Sequence, residues 1–95
     1  MPQQEGLVKN SAQIDFDKAV AAAKLLQDRP DNEDMLLLYA LFKQATSGDV
    51  NVPKPGFFDF VGVAKFAAWE KARGTSRDEA MSRYVELVRK LGGAV

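Results

Sequence analysis

The sequence has no cysteine and no histidine among its 95 residues. Without cysteine the chain can form neither a disulfide framework nor a thiolate metal site, and it has no cysteine nucleophile. Without histidine it lacks the usual general base, the usual catalytic triads and the commonest zinc ligand. We therefore expect a protein that holds no metal and no cofactor and performs no catalysis.

Net charge and long hydrophobic runs are also missing. Thirteen basic residues balance thirteen acidic ones, whereas a nucleic-acid-binding protein usually needs a basic excess to neutralise phosphates. No apolar run approaches the ~20 residues of a transmembrane helix, and the N-terminus lacks the apolar segment of a signal peptide. No helical pattern has the lysine-rich polar face of a membrane-surface helix. We expect a cytoplasmic protein with no nucleic-acid partner and no integral membrane association.

The composition is that of an ordinary globular protein, with 46% apolar and 27% charged residues. A chain of 95 residues is long enough for one domain with a core and too short for two. We predict a flexible N-terminal tail over residues 1 to 10 and one folded domain over residues 11 to 92, present as a monomer.

Four segments have the apolar spacing of amphipathic helices. Ser11 is the predicted N-cap of the first helix, with Asp15 and Asp17 near its start, where the helix dipole favours negative charge. The second helix is predicted to begin in the acidic stretch 31–34 and to run towards Gly48. Because its apolar residues go nearly all the way round, we expect other helices or a ligand to cover more than one face.

The third and fourth helices also have clear limits. The third is predicted to begin after Asp59 and to stop before Gly74. Ser76 and Glu79 fit a capping box at the start of the fourth helix. Residues 48 to 58 are rich in proline and glycine and form a connection longer than the ~2 to 8 residues usual between bundle helices. No segment shows strand alternation, so the sequence predicts an all-α fold, a small four-helix bundle.

Most apolar residues at helical spacing fit a core and need no functional explanation; these are Phe16, Val20, Leu38, Trp69, Val85 and Val88. Tyr39, Phe42 and Lys43 differ, because on a helix they place a phenol, a ring and an ammonium group on neighbouring turns. An apolar wall with a fixed cation suits a ligand that joins an anionic group to a flat or oily body. The same residues could instead be a core tyrosine with its hydroxyl at the rim and a lysine whose ammonium stays in water. Lys65, which apolar residues flank, has the same two interpretations.

Several short motifs follow one another in a specific order between about residues 14 and 91. They are Asp15-Phe16-Asp17-Lys18-Ala19, Met35-Leu36 with Tyr39, Lys43-Gln44-Ala45-Thr46, Gly48-Asp49 with Asn51, Pro55-Gly56, Asp59-Phe60, Lys65, Ala68-Trp69, Gly74-Thr75-Ser76, Ala80-Met81 and Tyr84-Val85. In this order and at this spacing, the chain closely resembles the acyl-CoA-binding proteins, small carriers of fatty acyl-CoA thioesters. The resemblance implies an up-down-down-up four-helix bundle with a long connection between helices two and three.

The resemblance also implies a ligand and the residues that bind it. Family members bind the coenzyme A head group through positions that correspond here to Lys24, Tyr39, Phe42, Lys43, Lys65 and Tyr84. Candidates for the groove that holds the acyl chain or the adenine are Phe16, Val20, Ala23, Met35, Leu36 and Ala64. The implied function is reversible binding, intracellular transport and pool maintenance of medium- and long-chain fatty acyl-CoA esters.

Four positions depart from the usual pattern of the family. Phe42 replaces a frequent tyrosine and Phe66 a frequent tryptophan, while Val61 and Val63 stand where lysines are common, one of which contacts the head group. We expect a weaker positive field around the phosphates, with binding retained at reduced affinity or with an altered chain preference.

Two other functions remain open at this point. A helical interaction module could dock a protein or peptide in the same groove without binding acyl-CoA, and calorimetry with acyl-CoA and with free fatty acid would separate it from a carrier. A thioesterase is disfavoured, because no pair of nucleophile and base can be assembled without histidine or cysteine.

Overall fold

The computed structural model of the protein describes residues 10 to 95. The predicted N-terminal tail therefore lies outside the described residues, except for Asn10. Within them the chain forms four helices and no strand: α1 (Ser11–Ala23), α2 (Asn32–Ser47), α3 (Phe60–Lys71) and α4 (Arg77–Lys90). The predicted all-α four-helix fold is confirmed. None of these described helices is both long enough and apolar enough to cross a membrane.

The start of α1 differs from the prediction by one residue. Asn10, not Ser11, is the N-cap, and its side-chain oxygen accepts a hydrogen bond of 2.8 Å from the backbone N–H of Gln13. Asparagine caps a helix at least as well as serine, so the earlier residue takes the position and Ser11 becomes the first helical residue. The first turn of α1 consequently contains no acidic residue, and the expected placement of Asp15 and Asp17 at the helix start is wrong.

The other three helices begin where the sequence predicts. Asp31, Asp59 and Ser76 each accept a hydrogen bond from the backbone N–H three residues later, at 2.8, 2.9 and 3.0 Å. Each bond satisfies one of the N–H groups that a helix leaves unpaired at its first turn. Glu79, the other member of the predicted capping box, has its carboxylate 3.9 Å from the guanidinium of Arg83.

The core is built by three of the four helices. Among the four described helices, α4 packs against α1 and α2, whereas α3 packs against α2 alone. The central cluster of buried side chains comprises Phe16, Ala19, Leu38, Leu41, Ala45, Ala80, Met81, Tyr84, Val85, Leu87 and Val88. α3 contributes only one buried residue, Trp69, which lies outside this cluster. Because the backbones of α1 and α3 do not approach each other among the described residues, a groove is left between them.

The connection between α2 and α3 is fixed at its start. Trp69 donates its indole N–H to the carbonyl of Gly48 at 2.8 Å, and the Asp49 carboxylate accepts the backbone N–H of Gly74 at 2.8 Å. Gly48 and Gly74 have φ angles of 81° and 87°, in the left-handed region that residues with a Cβ rarely adopt. These bonds tie the beginning of the long connection to the last turn of α3 and to the turn that follows it.

Candidate ligand-binding groove

A groove with a volume of about 810 Å³ lies between the C-terminal part of α1, the outer face of α2 and the first turns of α3. Among residues 10 to 95 its lining is mainly apolar, with three basic residues, Lys24, Arg29 and Lys65, and no acidic one. The end of α1 and the turn after it supply one wall, and α3 supplies the other. Such a groove suits an amphiphile that has an anionic end and an apolar body.

All but two of the site residues predicted from the sequence line this groove. They are Val20, Ala23, Lys24, Met35, Leu36, Tyr39, Phe42, Ala64, Lys65 and Tyr84. The fold thus brings residues of all four helices to one surface, although Val20 and Tyr84 are 64 positions apart in the chain.

Phe16 is one of the two predicted residues that do not line the groove. It is buried in the core, where its ring stacks on Phe42 with 6.0 Å between centroids and meets the Tyr84 ring edge to face at 5.1 Å. Phe42 and Tyr84 are themselves 6.4 Å apart. Phe16 therefore supports the two rings that form part of the groove wall, at distances where aromatic pairs attract each other.

Lys43 is the second predicted residue outside the groove lining. It is half-buried on α2, and its ammonium lies 4.9 Å from the centre of the Trp69 ring. This is a cation–π distance. The described structure therefore brings Lys43 to α3 and leaves its ammonium beside Trp69.

Tyr84 offers a hydroxyl donor at the groove. The residue is almost fully buried, and burial raises the pKa of its phenol above the usual 10.0. A phenol of ordinary pKa is already protonated at neutral pH, and burial extends this protonated range to higher pH because a buried phenolate would lose its hydration. A neutral phenol can donate a hydrogen bond to an anionic ligand oxygen.

Lys65 reaches the same surface from α3. Its ammonium lies 5.2 Å from the centre of the Tyr39 ring, so a cation and a π-face from neighbouring helices are in contact. With Lys24 at the end of α1 and Arg29 in the following turn, the groove carries positive charge on both walls.

Sequence reasoning missed seven residues of the groove lining: Leu26, Arg29, Pro30, Asn32, Leu38, Phe60 and Val61. The segment between Lys24 and Asp31 is non-helical, and helical periodicity does not predict where its side chains lie. A basic residue directly before Pro30 was the available signal for Arg29. Phe60 was identified as part of a family motif and Val61 as a departure from the family's usual lysine, and neither was assigned to the groove.

A second cavity, of about 570 Å³, lies between α1 and the C-terminal residues. It contains Lys18, Leu25, Asp28 and Gly93, among others, and none of the predicted site residues. It lacks aromatic rings, and its one lysine is offset by an aspartate. The larger groove is the better candidate because it combines aromatic and aliphatic walls with an excess of cations.

The sequence of the chain matches the family described as Acyl CoA binding protein over residues 13 to 88. Acyl-CoA-binding protein homolog 1 of Caenorhabditis elegans is 47% identical over 78 residues, which cover 82% of this chain and 91% of that protein. Enoyl-CoA delta isomerase 2 of Rattus norvegicus is 45% identical over 84 residues, which cover 88% of this chain and 22% of the enzyme.

Solved structures show a similar fold. Acyl-CoA-binding protein 2 of Oryza sativa is 42% identical with a TM-score of 0.82, covering 85% of this chain and 90% of that chain. The acyl-CoA-binding protein of Moniliophthora perniciosa is 40% identical with a TM-score of 0.80, covering 87% of this chain and 82% of that chain.

Proposed function

The chain belongs to the acyl-CoA-binding protein family, and from this premise we propose that the groove between α1, α2 and α3 is where it binds fatty acyl-CoA. Binding and transport of acyl-CoA is the function that family membership supports, and a peptide-docking module is not favoured. The observation that carries the proposal is the groove itself, whose described lining joins an apolar surface to three basic residues.

The basic and aromatic residues match the chemistry of the ligand's head group. Coenzyme A carries a 3′-phosphate, a pyrophosphate and an adenine ring, so it needs cations for the phosphates and an apolar or aromatic surface for the base. In our proposal Lys24, Lys43 and Lys65 hold the phosphates, Tyr84 donates its hydroxyl, and the adenine packs against rings such as Phe42. Charge-assisted hydrogen bonds of this kind contribute roughly 1.5 to 3 kcal/mol each.

The acyl tail is proposed to lie on the apolar part of the groove. Met35, Leu36 and Ala64 provide aliphatic surface there, and Phe60 and Val61 extend it on α3. Each methylene removed from water contributes about 0.8 kcal/mol, or roughly fourfold in affinity. Medium- and long-chain esters should therefore bind much more tightly than free coenzyme A.

The role that we propose is that of a carrier that performs no chemistry. The chain corresponds to 22% of the rat isomerase, so that enzyme's activity does not transfer to it. Among the described residues the groove lining contains no carboxylate and no serine, so it offers neither a carboxylate base nor a serine nucleophile for thioester hydrolysis. We further propose that the protein acts as a cytoplasmic monomer without a cofactor and that residues 11 to 92 form its functional domain.

Calorimetry with the full chain tests this function. Hexadecanoyl-CoA should bind far more tightly than either hexadecanoate or free coenzyme A, because only the thioester engages both the cations and the apolar surface. A series from octanoyl- to octadecanoyl-CoA should show affinity rising with each added methylene until the groove is filled. Equal affinity for hexadecanoate and its CoA ester would contradict the proposed head-group site, and hydrolysis of the thioester by the pure protein would contradict a purely binding role.

A further inference from the structure

Four large apolar side chains at the start of α3 are exposed. Phe57, Phe58, Phe60 and Val61 have exposed fractions of 75%, 81%, 74% and 67%, and we call these four residues the aromatic patch. The rings of Phe57 and Phe58 pack on each other, with centroids 4.4 Å apart. Single exposed apolar residues are common on proteins, but a contiguous group of aromatic ones marks an interaction surface.

The aromatic patch is continuous with the proposed acyl-CoA groove. Phe60 and Val61 belong to both, since they line the groove and are exposed at its edge. Phe57 and Phe58 precede them in the chain, separated only by Asp59, and lie outside the lining. An apolar surface thus runs from the inside of the groove to the exterior of the molecule.

The charges around the aromatic patch are mainly positive. Lys54 and Lys65 are exposed on either side of it in the sequence, and Asp59 is the one acidic residue between them. The Asp59 carboxylate accepts the backbone N–H of Gly62 at 2.9 Å as the N-cap of α3, where its charge is balanced by the positive end of the helix dipole. The surroundings of the aromatic patch therefore complement an anionic surface.

From these observations we propose that the aromatic patch docks on the surface of a phospholipid bilayer that contains anionic lipids. The rings of Phe57, Phe58 and Phe60 enter the boundary between headgroups and acyl chains, as the apolar face of an interfacial helix does. Lys54 contacts the anionic headgroups, and Lys65, whose ammonium lies over the Tyr39 ring, adds positive charge at the edge of the groove. Docking in this orientation brings the open edge of the groove to the bilayer, so an acyl tail can pass between groove and membrane without crossing water.

The passage of the tail rests on the proposed acyl-CoA binding, whereas docking on the bilayer does not. Docking through the aromatic patch also differs from binding by an amphipathic helix that lies in the membrane plane. The sequence does not predict such a helix. Here the apolar residues belong to a turn and to the first residues of α3, and docking needs no lysine-rich helical face.

Binding of the full chain to vesicles, in the absence of acyl-CoA, tests the proposal. Sucrose-loaded vesicles of phosphatidylcholine with about one third phosphatidylserine supply the anionic surface, and sedimentation gives the fraction of protein bound. F57S/F58S should weaken binding at least about tenfold, because two large side chains no longer leave water. Leu25→Ser is the matched control, since Leu25 is 80% exposed and lines the other cavity; it should bind vesicles as the wild type does.

Two further measurements distinguish docking on the bilayer from damage to the acyl-CoA groove and from self-association of the protein. Hexadecanoyl-CoA should bind F57S/F58S with wild-type affinity, because neither residue lines the groove, and light scattering should give the same mass for both proteins. The proposal is overturned if the wild type does not bind the vesicles, if F57S/F58S binds them as well as the wild type, or if the substitutions convert a dimer into a monomer, which would make the aromatic patch a contact between two copies.

Discussion

The ammonium of Lys65 lies 5.2 Å from the centre of the Tyr39 ring. The two residues belong to α3 and α2, and both line the proposed acyl-CoA groove. A lysine held over an aromatic face loses part of its conformational freedom before a ligand arrives. Less entropy then remains to be lost when the same ammonium contacts a phosphate.

Replacing Lys65 should weaken binding of the head group. In Lys65→Ala the charge-assisted contact to a phosphate is lost, and the affinity for hexadecanoyl-CoA measured by calorimetry should fall about ten- to hundredfold. Lys71→Ala is the matched control, because Lys71 is an exposed lysine of the same helix outside the groove lining. Equal affinities of wild type and Lys65→Ala would remove Lys65 from the site.

Lys43 should report on ligand binding through Trp69, the single tryptophan of the chain. Its ammonium lies 4.9 Å from the centre of that ring, and Trp69 is buried away from the groove lining. If Lys43 moves to a phosphate on binding, the cation leaves the indole and the tryptophan emission changes. Lys43→Met retains the aliphatic stem and should abolish the change while weakening binding about tenfold.

The control for this prediction is Lys24→Met, which removes a groove cation that does not face the indole. It should weaken binding and leave the emission change at saturation intact. An emission change of the same size in wild type and Lys43→Met would show that Lys43 does not leave Trp69 when the ligand binds.

Restoring a hydroxyl at position 42 should strengthen binding. Phe42 lines the groove and its ring lies 6.4 Å from that of Tyr84, so Phe42→Tyr adds a second phenol beside the first. One additional hydrogen bond contributes about 0.5 to 1.5 kcal/mol, or roughly two- to tenfold in affinity. The same factor should appear by calorimetry with free coenzyme A and with hexadecanoyl-CoA, because the hydroxyl acts on the head group. Unchanged affinity for both ligands would mean that the new hydroxyl does not reach the head group.

Local sequence chemistry accounts for much of the fold. Asp31, Asp59 and Ser76 mark helix starts because a capping side chain acts on a backbone N–H only three residues away. The prediction of Ser11 as the N-cap of α1 was wrong for the same local reason, since Asn10 is an equally good cap one residue earlier. Predictions of this kind need no knowledge of tertiary packing.

The groove was less accessible to sequence reasoning. Resemblance to a family identified most of its lining, but Arg29 depends on how the turn after α1 folds back. Lys43 and Tyr39 share a helix face at the i, i+4 spacing. The lysine side chain nevertheless extends to Trp69 on α3, and no local sequence pattern predicts this contact. Phe60 is exposed because α3 packs only against α2, a property of the whole bundle.

Asp49 should make stability depend on pH in the acidic range. Its carboxylate accepts hydrogen bonds from Gly74 N–H and from Gln44 Nε2, at 2.8 and 2.7 Å, and these bonds lower the pKa of Asp49 below the usual 3.8. A lowered folded-state pKa stabilises the fold above the unfolded pKa, and this contribution is lost as pH falls through the folded value. Asp49→Asn should therefore be less stable than wild type to urea at pH 7, with the difference shrinking below about pH 4.

The control is Asp28→Asn, an exposed carboxylate in the turn between α1 and α2, which should not reproduce this loss at pH 7. A difference between wild type and Asp49→Asn that stays constant from neutral to acidic pH would show that the charge of Asp49 plays no part in fixing the long connection.

Tyr84 should make the protein sensitive to alkaline pH. Burial raises its folded-state pKa above 10.0, so the folded protein keeps the phenolic proton at pH values where the unfolded chain has lost it. This contribution to stability is fully present below about pH 10 and is lost as pH rises through the folded pKa. Tyr84→Phe cannot ionise and keeps the ring contact with Phe16, so between pH 9 and 11 it should lose less stability to urea than the wild type.

Tyr84→Phe differs from the wild type in this one hydroxyl, and the difference in stability between the two proteins therefore isolates Tyr84. At pH 7 the two proteins should be within about 1 kcal/mol in free energy of unfolding, while Tyr84→Phe should bind hexadecanoyl-CoA about tenfold more weakly if the hydroxyl donates to the head group. Parallel loss of stability in wild type and Tyr84→Phe would mean that the phenol ionises as readily in the folded protein as in the unfolded chain. Unchanged affinity for hexadecanoyl-CoA, together with a clear stability difference at alkaline pH, would assign Tyr84 to the packing of the groove wall and not to the ligand. Burial alone raises the pKa of the phenol, whereas removing the hydroxyl weakens binding only if it contacts the head group.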